Sequence, residues 1–199
     1  MSQDDVLGFD DPRSMLEDFE NEHDQPFVLY LTGDDKDARR RQNLMNGAFL
    51  DERVGIAAQV ICMIKAPGDA IDESHPFFRH VGGDELPRVV VFARDGRKVG
   101  RLEGSATGSE VYDLMAEAFD ASYEGDLDDL MRDYRKLLTK METLRAKKRL
   151  LDDKYLTAET RSEEKKLERQ LARLEKQGDK LRDLKKRILG VKRREEAAR

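Results

Sequence analysis

Residues 85–104, ELPRVVVFARDGRKVGRLEG, constrain the fold more than any other stretch of this chain. Two β-rich segments, RVVVFA and KVGRLE, flank Asp95-Gly96, a dipeptide that supplies the positive φ angles of a tight hairpin turn. The stretch therefore predicts an antiparallel β-hairpin. The alternative fold is a flavodoxin-like parallel sheet, and the hairpin argues against it because doubly wound sheets join their strands through helices.

The rest of the first half alternates strand patterns with helical ones. Helices are predicted at about 12–22, 36–49, 52–58, 73–83 and from Thr107 onward, and strands at 26–32 and 57–66. Because roughly one helix of chain separates these two strands, we expect a parallel βαβ connection between them. The first half is thus predicted to be an α/β domain with a mixed sheet.

The order helix, βαβ, helix, ββ, helix, with a Leu-Pro directly before the hairpin, resembles the thioredoxin-like superfamily. The most specific parts are Leu86-Pro87-Arg88 and the closing Gly104, and GAFLDERV at 47–54 is similar to one branch of that superfamily. The resemblance covers residues 10–120. It implies a cis peptide bond before Pro87, where sequence statistics alone make trans the default.

The redox activity of that family rests on a Cys-x-x-Cys pair at the start of the second helix, where the helix N-terminus lowers the thiol pKa. Here that position falls on Asp34–Asp37 or on residues 38–41, and neither contains cysteine, serine or histidine. The single cysteine, Cys62, lies in an apolar strand and is predicted to be a core thiol. We expect a redox-inactive domain that is not an enzyme; a thiol enzyme using Cys62 is an alternative.

What the resemblance still implies is a binding surface. In thioredoxin-like proteins the backbone before the cis-proline pairs with an extended peptide, which requires no cysteine. Glu85, Leu86 and Pro87 would carry this contact, beside Gly33 and Asp34.

No cofactor and no metal ion are expected. Asp34, Asp35 and Asp37 are interpreted as acidic residues that complement a helix N-terminus rather than as a hard-metal cluster. His75 and His80 lack the i,i+4 spacing of two ligands on one helix, and the glycines form no phosphate loop.

The second half carries a heptad pattern. One core position holds Leu127, Tyr134, Met141 and Tyr155, and the other holds Leu130, Leu137, Leu144 and Leu151. After a break at YLTAETRSEEKK, Leu167, Leu174, Leu181 and Ile188 repeat every seven residues in another phase, and Thr160-x-x-Glu163 matches a capping box. An antiparallel helical hairpin or coiled coil is predicted, with one long helix containing a stutter as the alternative.

The two halves carry opposite charge. Residues 1–125 hold 13 Lys+Arg against 26 Asp+Glu, whereas residues 126–199 hold 24 against 16. The basic residues that could contact a partner are Lys185, Lys186, Arg187, Lys192, Arg193 and Arg194. Nucleic acid or an anionic membrane could bind there, but nearby glutamates dilute the charge and no aromatic accompanies it, which favours a solvated or protein-facing role.

The predicted organisation is an acidic tail at 1–10, a thioredoxin-like domain at 11–121, a linker at 122–125, a helical hairpin or coiled coil at 126–190 and a charged tail at 191–199. The expected function is protein binding as an adaptor, scaffold or chaperone-like component, with the coil used for docking or homo-oligomerisation. A nucleic-acid or ribosome-associated role is the alternative. No apolar run of transmembrane length, no secretory signal and one cysteine predict a cytoplasmic location.

Overall fold

The structure, a computed structural model, describes residues 25–33, 38–68, 81–82 and 85–192. The helix predicted at 12–22 and nearly all of that predicted at 73–83 lie outside these ranges. The described residues fall into two compact units. The first holds the chain up to Asp128 together with Lys192, and the second spans Asp129–Val191.

A four-stranded mixed sheet forms the centre of the first unit. Its strands are β1 (Phe27–Thr32), β2 (Cys62–Pro67), β3 (Arg88–Phe92) and β4 (Lys98–Glu103), in the spatial order β2-β1-β3-β4. β1 pairs with β2 in parallel, while β3 pairs antiparallel with both β1 and β4. The predicted α/β class, with a parallel βαβ unit and an antiparallel hairpin, is confirmed.

The connection between β1 and β2 is helical. It contains α1 (Ala38–Asn43), a π-helical turn (Leu44–Ala48) and α2 (Glu52–Ala57). The Asp51 side chain caps α2 by accepting a 2.8 Å hydrogen bond from the Arg53 N–H.

The strand predicted at 57–66 was placed too early. Ala57 ends α2, and its carbonyl accepts hydrogen bonds of 3.0 Å from the N–H groups of both Val60 and Ile61. Because the N–H groups of Val60 and Ile61 take part in this turn, they are not available for strand pairing, and β2 begins only at Cys62.

The Asp95-Gly96 dipeptide lies in the turn of the hairpin, as predicted. Ala93 N–H donates to the Arg97 carbonyl at 2.9 Å, and Gly96 N–H donates to the Ala93 carbonyl at 3.0 Å. Three residues thus lie between the closing pair, and of these Gly96 alone has a positive φ, of 78°. This is the arrangement in which a turn is followed by a left-handed glycine, which relieves Asp95 of any strained conformation.

The core of the first unit lies on both faces of β1 and β3. Val89, Val90, Val91 and Phe92 are fully buried, and β1 is buried from Phe27 to Leu31. The rings of Phe27 and Phe92 stack with centroids 4.6 Å apart and an interplanar angle of 12°. Two central strands buried in this way account for the nearly continuous apolar character of FVLYL and VVVF.

Helix α3 (Gly108–Ser122) follows the sheet and begins as predicted. Thr107 is its N-cap, and a capping box joins Thr107 to Glu110. Ser122 and Tyr123, which were predicted to belong to a linker, are buried in the first unit: Ser122 Oγ donates to the Ala118 carbonyl at 2.7 Å, and the Tyr123 hydroxyl donates to the Val60 carbonyl at 3.4 Å.

The second unit consists of two long helices, α4 (Leu127–Leu156) and α5 (Arg161–Leu189). Three contacts run in opposite order along them: Tyr134 with Lys185, Leu144 with Gly178, and Tyr155 with Glu168. The helices therefore form an antiparallel hairpin, and the single long helix is excluded. None of the helices in the described ranges combines the length and apolarity that crossing a membrane requires.

Candidate functional site

The predicted peptide-binding residues lie at one end of the sheet. β1 ends at Thr32, next to Pro67 at the end of the parallel strand β2. Because β3 runs antiparallel to β1, its first residue, Arg88, pairs with Leu31 at the same end. We name this end the Leu86 edge; it consists of Gly33, Gly68 and Glu85–Pro87. Asp34, the remaining residue predicted for this site, lies outside the described residues.

Leu86 is half-buried and packs against the apolar cluster beneath the sheet. A Cβ placed on Gly68 would overlap the Leu86 side chain and the Thr32 carbonyl oxygen. Any larger residue at 68 would therefore displace Leu86. The peptide bond between Leu86 and Pro87 is cis, as the resemblance implied.

The carbonyls on both sides of Leu86 accept hydrogen bonds, whereas the backbone of Leu86 has no partner among the described residues. The Pro87 carbonyl accepts a 2.9 Å hydrogen bond from the Gly104 N–H, and the Glu85 carbonyl accepts one of 3.1 Å from Arg88. Within the part of the chain that the structure describes, no hydrogen bond involves the N–H or the carbonyl of Leu86. Among the described residues, one backbone donor and one acceptor thus have no partner two residues before β3.

A buried arginine holds the loop that carries Leu86. Arg88 is only 5% exposed; its guanidinium donates to the Val81 carbonyl at 2.6 Å and to the Glu85 carbonyl at 3.1 Å. Its Nε lies 3.4 Å from Glu103 Oε1. A buried guanidinium is tolerated only when its charge and N–H groups find such partners, so these contacts fix the chain on either side of Leu86.

Arg88 was not recognised from the sequence. The signal that could have identified it is a charged residue at the first position of RVVVF, a strand that is otherwise wholly apolar. Charged residues are almost never fully buried unless they are paired, so an arginine at such a position predicts a structural ion pair.

A charged pair forms the rim of the Leu86 edge. Arg40, at the start of α1, donates to Glu85 Oε2 at 3.2 Å, with both side chains about half exposed. Glu85 also lies against Gly104, whose φ is 71° and where a Cβ would approach the carboxylate. Exposed pairs of this kind contribute little to stability, so Glu85 and Arg40 are free to exchange partners with a bound ligand.

The position at which the family carries its cysteine pair is only partly described. Asp34–Asp37 lie outside the described residues, while Ala38, Arg39 and Arg40 are exposed at the start of α1. Cys62, the single cysteine of the chain, is half-buried in β2 rather than at a helix start. Burial raises the pKa of its thiol, which keeps it protonated and weakly nucleophilic at neutral pH.

The predicted basic contact residues are divided between the two units and the part of the chain that is not described. Lys185 is partly buried, and its Nζ lies 5.8 Å above the centre of the Tyr134 ring. Lys186 and Arg187 are exposed in the last turns of α5, where cations are favourable for the helix dipole. Lys192 belongs to the first unit, in which its carbonyl accepts a 2.8 Å hydrogen bond from the Glu124 N–H. Arg193 and Arg194 lie outside the described residues.

No family model matches this chain, and no curated protein matches it. Among solved structures, a chain described as "DsbH Oxidoreductase" is similar, with 13% sequence identity and a TM-score of 0.38. The matched region covers 58% of this chain and 85% of that chain. The similarity is too distant to carry a conclusion about activity.

Proposed function

We propose that the first unit is a redox-inactive, thioredoxin-like protein-binding module that takes up an extended peptide segment at the Leu86 edge. The observation that carries this proposal is that, among the described residues, nothing is hydrogen-bonded to the N–H or the carbonyl of Leu86. A donor and an acceptor on one residue are what an extended chain needs to add itself as a strand, because its own backbone presents the complementary pair.

The surroundings of Leu86 support a peptide as the ligand. Arg88 and Gly104 hold the neighbouring backbone in place, so that little conformational entropy is lost when the edge accepts a strand. The half-buried Leu86 side chain offers an apolar contact beside the charged Arg40–Glu85 pair. The segment expected to bind is therefore extended, with an apolar residue opposite Leu86 and a charged one near the rim.

The chemistry of Cys62 supports binding rather than disulfide exchange. A single thiol has no internal partner, and its raised pKa leaves little thiolate at neutral pH. A redox role for Cys62 would need the thiolate that burial disfavours. The thiol-enzyme alternative is therefore not favoured.

The hairpin carries partly covered apolar positions of its own. α5 has no fully buried residue, so its apolar positions are only partly covered. We propose that the whole protein acts as an adaptor, scaffold or chaperone-like component in a reducing cytoplasm, with the hairpin used for docking or self-association.

The test is a selection of displayed random peptides of about ten residues on the full chain, followed by fluorescence anisotropy with a selected peptide. Leu86→Asp is expected to weaken binding at least about tenfold, since a desolvated carboxylate at the edge disfavours strand addition. Leu50→Asp is the matched control because Leu50 is 73% exposed on the same unit. The affinity of this variant for the selected peptide is expected to equal that of the parent chain.

Two results would overturn the proposal. One is that the selection yields no peptide that the full chain binds. The other is that Leu86→Asp and Leu50→Asp bind a selected peptide equally well while both retain the circular dichroism spectrum of the parent chain.

A further inference from the structure

The helical hairpin contains a groove with an apolar floor and a basic rim. Its volume is about 370 Å³, and it lies between the middle of α4 and the middle of α5. Leu144 and Leu181, both half-buried, form the floor. Lys140, Lys147 and Lys180 stand around it and are exposed. No acidic and no aromatic side chain lines this groove.

One position of the α5 seam, directly after the lining residue Gln177, lacks a side chain. The heptad leucines Leu174 and Leu181 flank Gly178 in that helix. A Cβ at Gly178 would meet Leu144 Cδ2 at 3.6 Å, an ordinary contact distance, so the glycine leaves space that a side chain could fill. A leucine-sized side chain from outside the hairpin would cover both floor leucines and bury apolar surface that is now wet.

The basic rim extends beyond the groove in two regular rows. Exposed cations repeat every seven residues at Lys140, Lys147 and Lys154 on α4 and at Lys166, Arg173, Lys180 and Arg187 on α5. Residues seven apart lie on the same face of a helix about 10 Å apart. Since Lys140, Lys147 and Lys180 line the groove, the rows continue along the same side of each helix. We call these seven residues the basic rows.

The spacing of the basic rows identifies the kind of ligand. An apolar seam flanked by charges every seventh residue is how one helix of a coiled coil presents itself to another, and acidic residues at the flanking heptad positions are its complement. The hairpin holds 20 Lys+Arg against 12 Asp+Glu within Asp129–Val191, so the hairpin of a second copy would bring cations against cations. A different, acidic chain is therefore the better occupant.

We propose that the groove docks an acidic amphipathic helix of another protein, with its apolar residues on Leu144 and Leu181 and its carboxylates between the basic rows. This would complete a three-helix arrangement. The inference rests on the proposed adaptor function and deepens it, because it names the chemistry of the partner that the hairpin would hold. Nucleic acid is less suited, because an apolar floor contributes nothing to phosphate binding and no groove aromatic can stack on a base.

The test uses the full chain and a fluorescein-labelled synthetic peptide of about three heptads, with leucine at the core positions and glutamate at the flanking ones. We expect saturable binding in an anisotropy titration. The combined variant Lys140→Glu, Lys147→Glu, Lys180→Glu is expected to weaken it at least about tenfold, since like charges would then face each other. A peptide with lysine in place of each glutamate should not bind.

The matched control carries the same change of charge on the other side of the hairpin: Arg145→Glu, Arg149→Glu, Lys186→Glu. These side chains are exposed and do not line the groove. Binding within about twofold of the parent chain is expected, because a net-charge effect alone would weaken both variants alike. Equal weakening of the two variants, at unchanged helicity by circular dichroism, would overturn the inference.

A duplex oligonucleotide of about 20 base pairs provides the competing outcome. Tighter binding of the duplex than of the acidic peptide, with loss in the groove variant, would also overturn the inference and favour the nucleic-acid role. Leu86→Asp separates the two proposals: it should abolish strand addition without affecting the helical peptide. If the acidic helical peptide does not bind but a selected extended peptide does, the inference about the hairpin is wrong and the peptide-binding function stands. If only the helical peptide binds, the peptide-binding function is wrong and the inference about the hairpin stands.

Discussion

The two units of this protein differ in how far each buries its own apolar residues. In the sheet, Val90 and Phe92 have no exposed surface, and the central strands are covered on both faces. In the hairpin, α5 has no buried residue, and Leu150 and Leu156 of α4 are 56% and 82% exposed. The comparison teaches that, among the described residues, the central strands bury their apolar side chains fully, whereas α5 and the second half of α4 leave theirs partly exposed to another molecule.

The largest effect expected from this difference is on stability. Phe92→Ala removes a buried ring that stacks on Phe27 and should lower the free energy of unfolding by about 3–5 kcal/mol. Leu174→Ala, at a half-buried seam position of α5, should lower it by only about 1 kcal/mol. Urea denaturation followed by circular dichroism measures both. Similar losses would mean that the hairpin buries its seam as fully as the sheet buries its core.

The next effect concerns the buried arginine. Arg88→Met should destabilise the protein by about 3 kcal/mol, because the carbonyls of Val81 and Glu85 lose their donor. Glu103 keeps Arg101, whose Nε lies 3.0 Å from its Oε1. Arg40→Met removes a half-exposed partner of Glu85 and should change stability by less than about 1 kcal/mol. Thermal unfolding of both variants provides the measurement, and a loss at Arg40 as large as at Arg88 would contradict the assignment.

Replacing a glycine by alanine should have opposite effects on stability in the two units. Gly178→Ala should stabilise the hairpin by up to about 1 kcal/mol, since alanine is the better helix former and its Cβ has room beside Leu144. Gly68→Ala should destabilise the sheet unit, because the new Cβ would overlap Leu86 and the Thr32 carbonyl. Denaturation midpoints report both changes. A stabilising Gly68→Ala would show that the Leu86 edge is less closely packed than described.

The smallest effect concerns the rate at which the Cys62 thiol is alkylated, not the stability of the fold. Because burial raises the pKa of the Cys62 thiol, alkylation by iodoacetamide at neutral pH should be slower than that of glutathione, and its rate should level off only at a higher pH than that of glutathione. Mass spectrometry of the native chain over a pH series measures this. Faster reaction than free glutathione at pH 7 would reveal an activated thiolate and revive the thiol-enzyme alternative.

The sequence predicted the elements with strong periodicity best. The runs FVLYLT and RVVVF alternate with turn residues and helical patterns, and the mixed sheet they predicted is confirmed. The two helices of the hairpin followed from heptads and from the capping box at Thr160, which is present. Local pattern and final structure agree where burial of one face decides the conformation.

The errors arose where backbone hydrogen bonds, not side-chain pattern, decide the structure. Ala57 and Ala58 fit either a strand or the end of a helix. The hydrogen bonds that the Ala57 carbonyl accepts form a turn, and this turn places both residues before the start of β2. Ser122 and Tyr123 are linker residues in the sequence-based prediction, yet tertiary packing buries them. The groove was also missed, because it depends on two rows of lysines and arginines that come together only when the hairpin folds back.

The central claim is that Leu86 presents an unpaired backbone donor to a peptide, and hydrogen–deuterium exchange of the full chain tests it most directly. In the free protein the Leu86 amide should exchange faster than that of Val90, which is buried in the middle of β3. A selected peptide should slow exchange at Leu86 at least about tenfold, since strand addition gives its N–H an acceptor. A Leu86 amide that is already protected, or that stays unprotected with the peptide bound, would contradict the account.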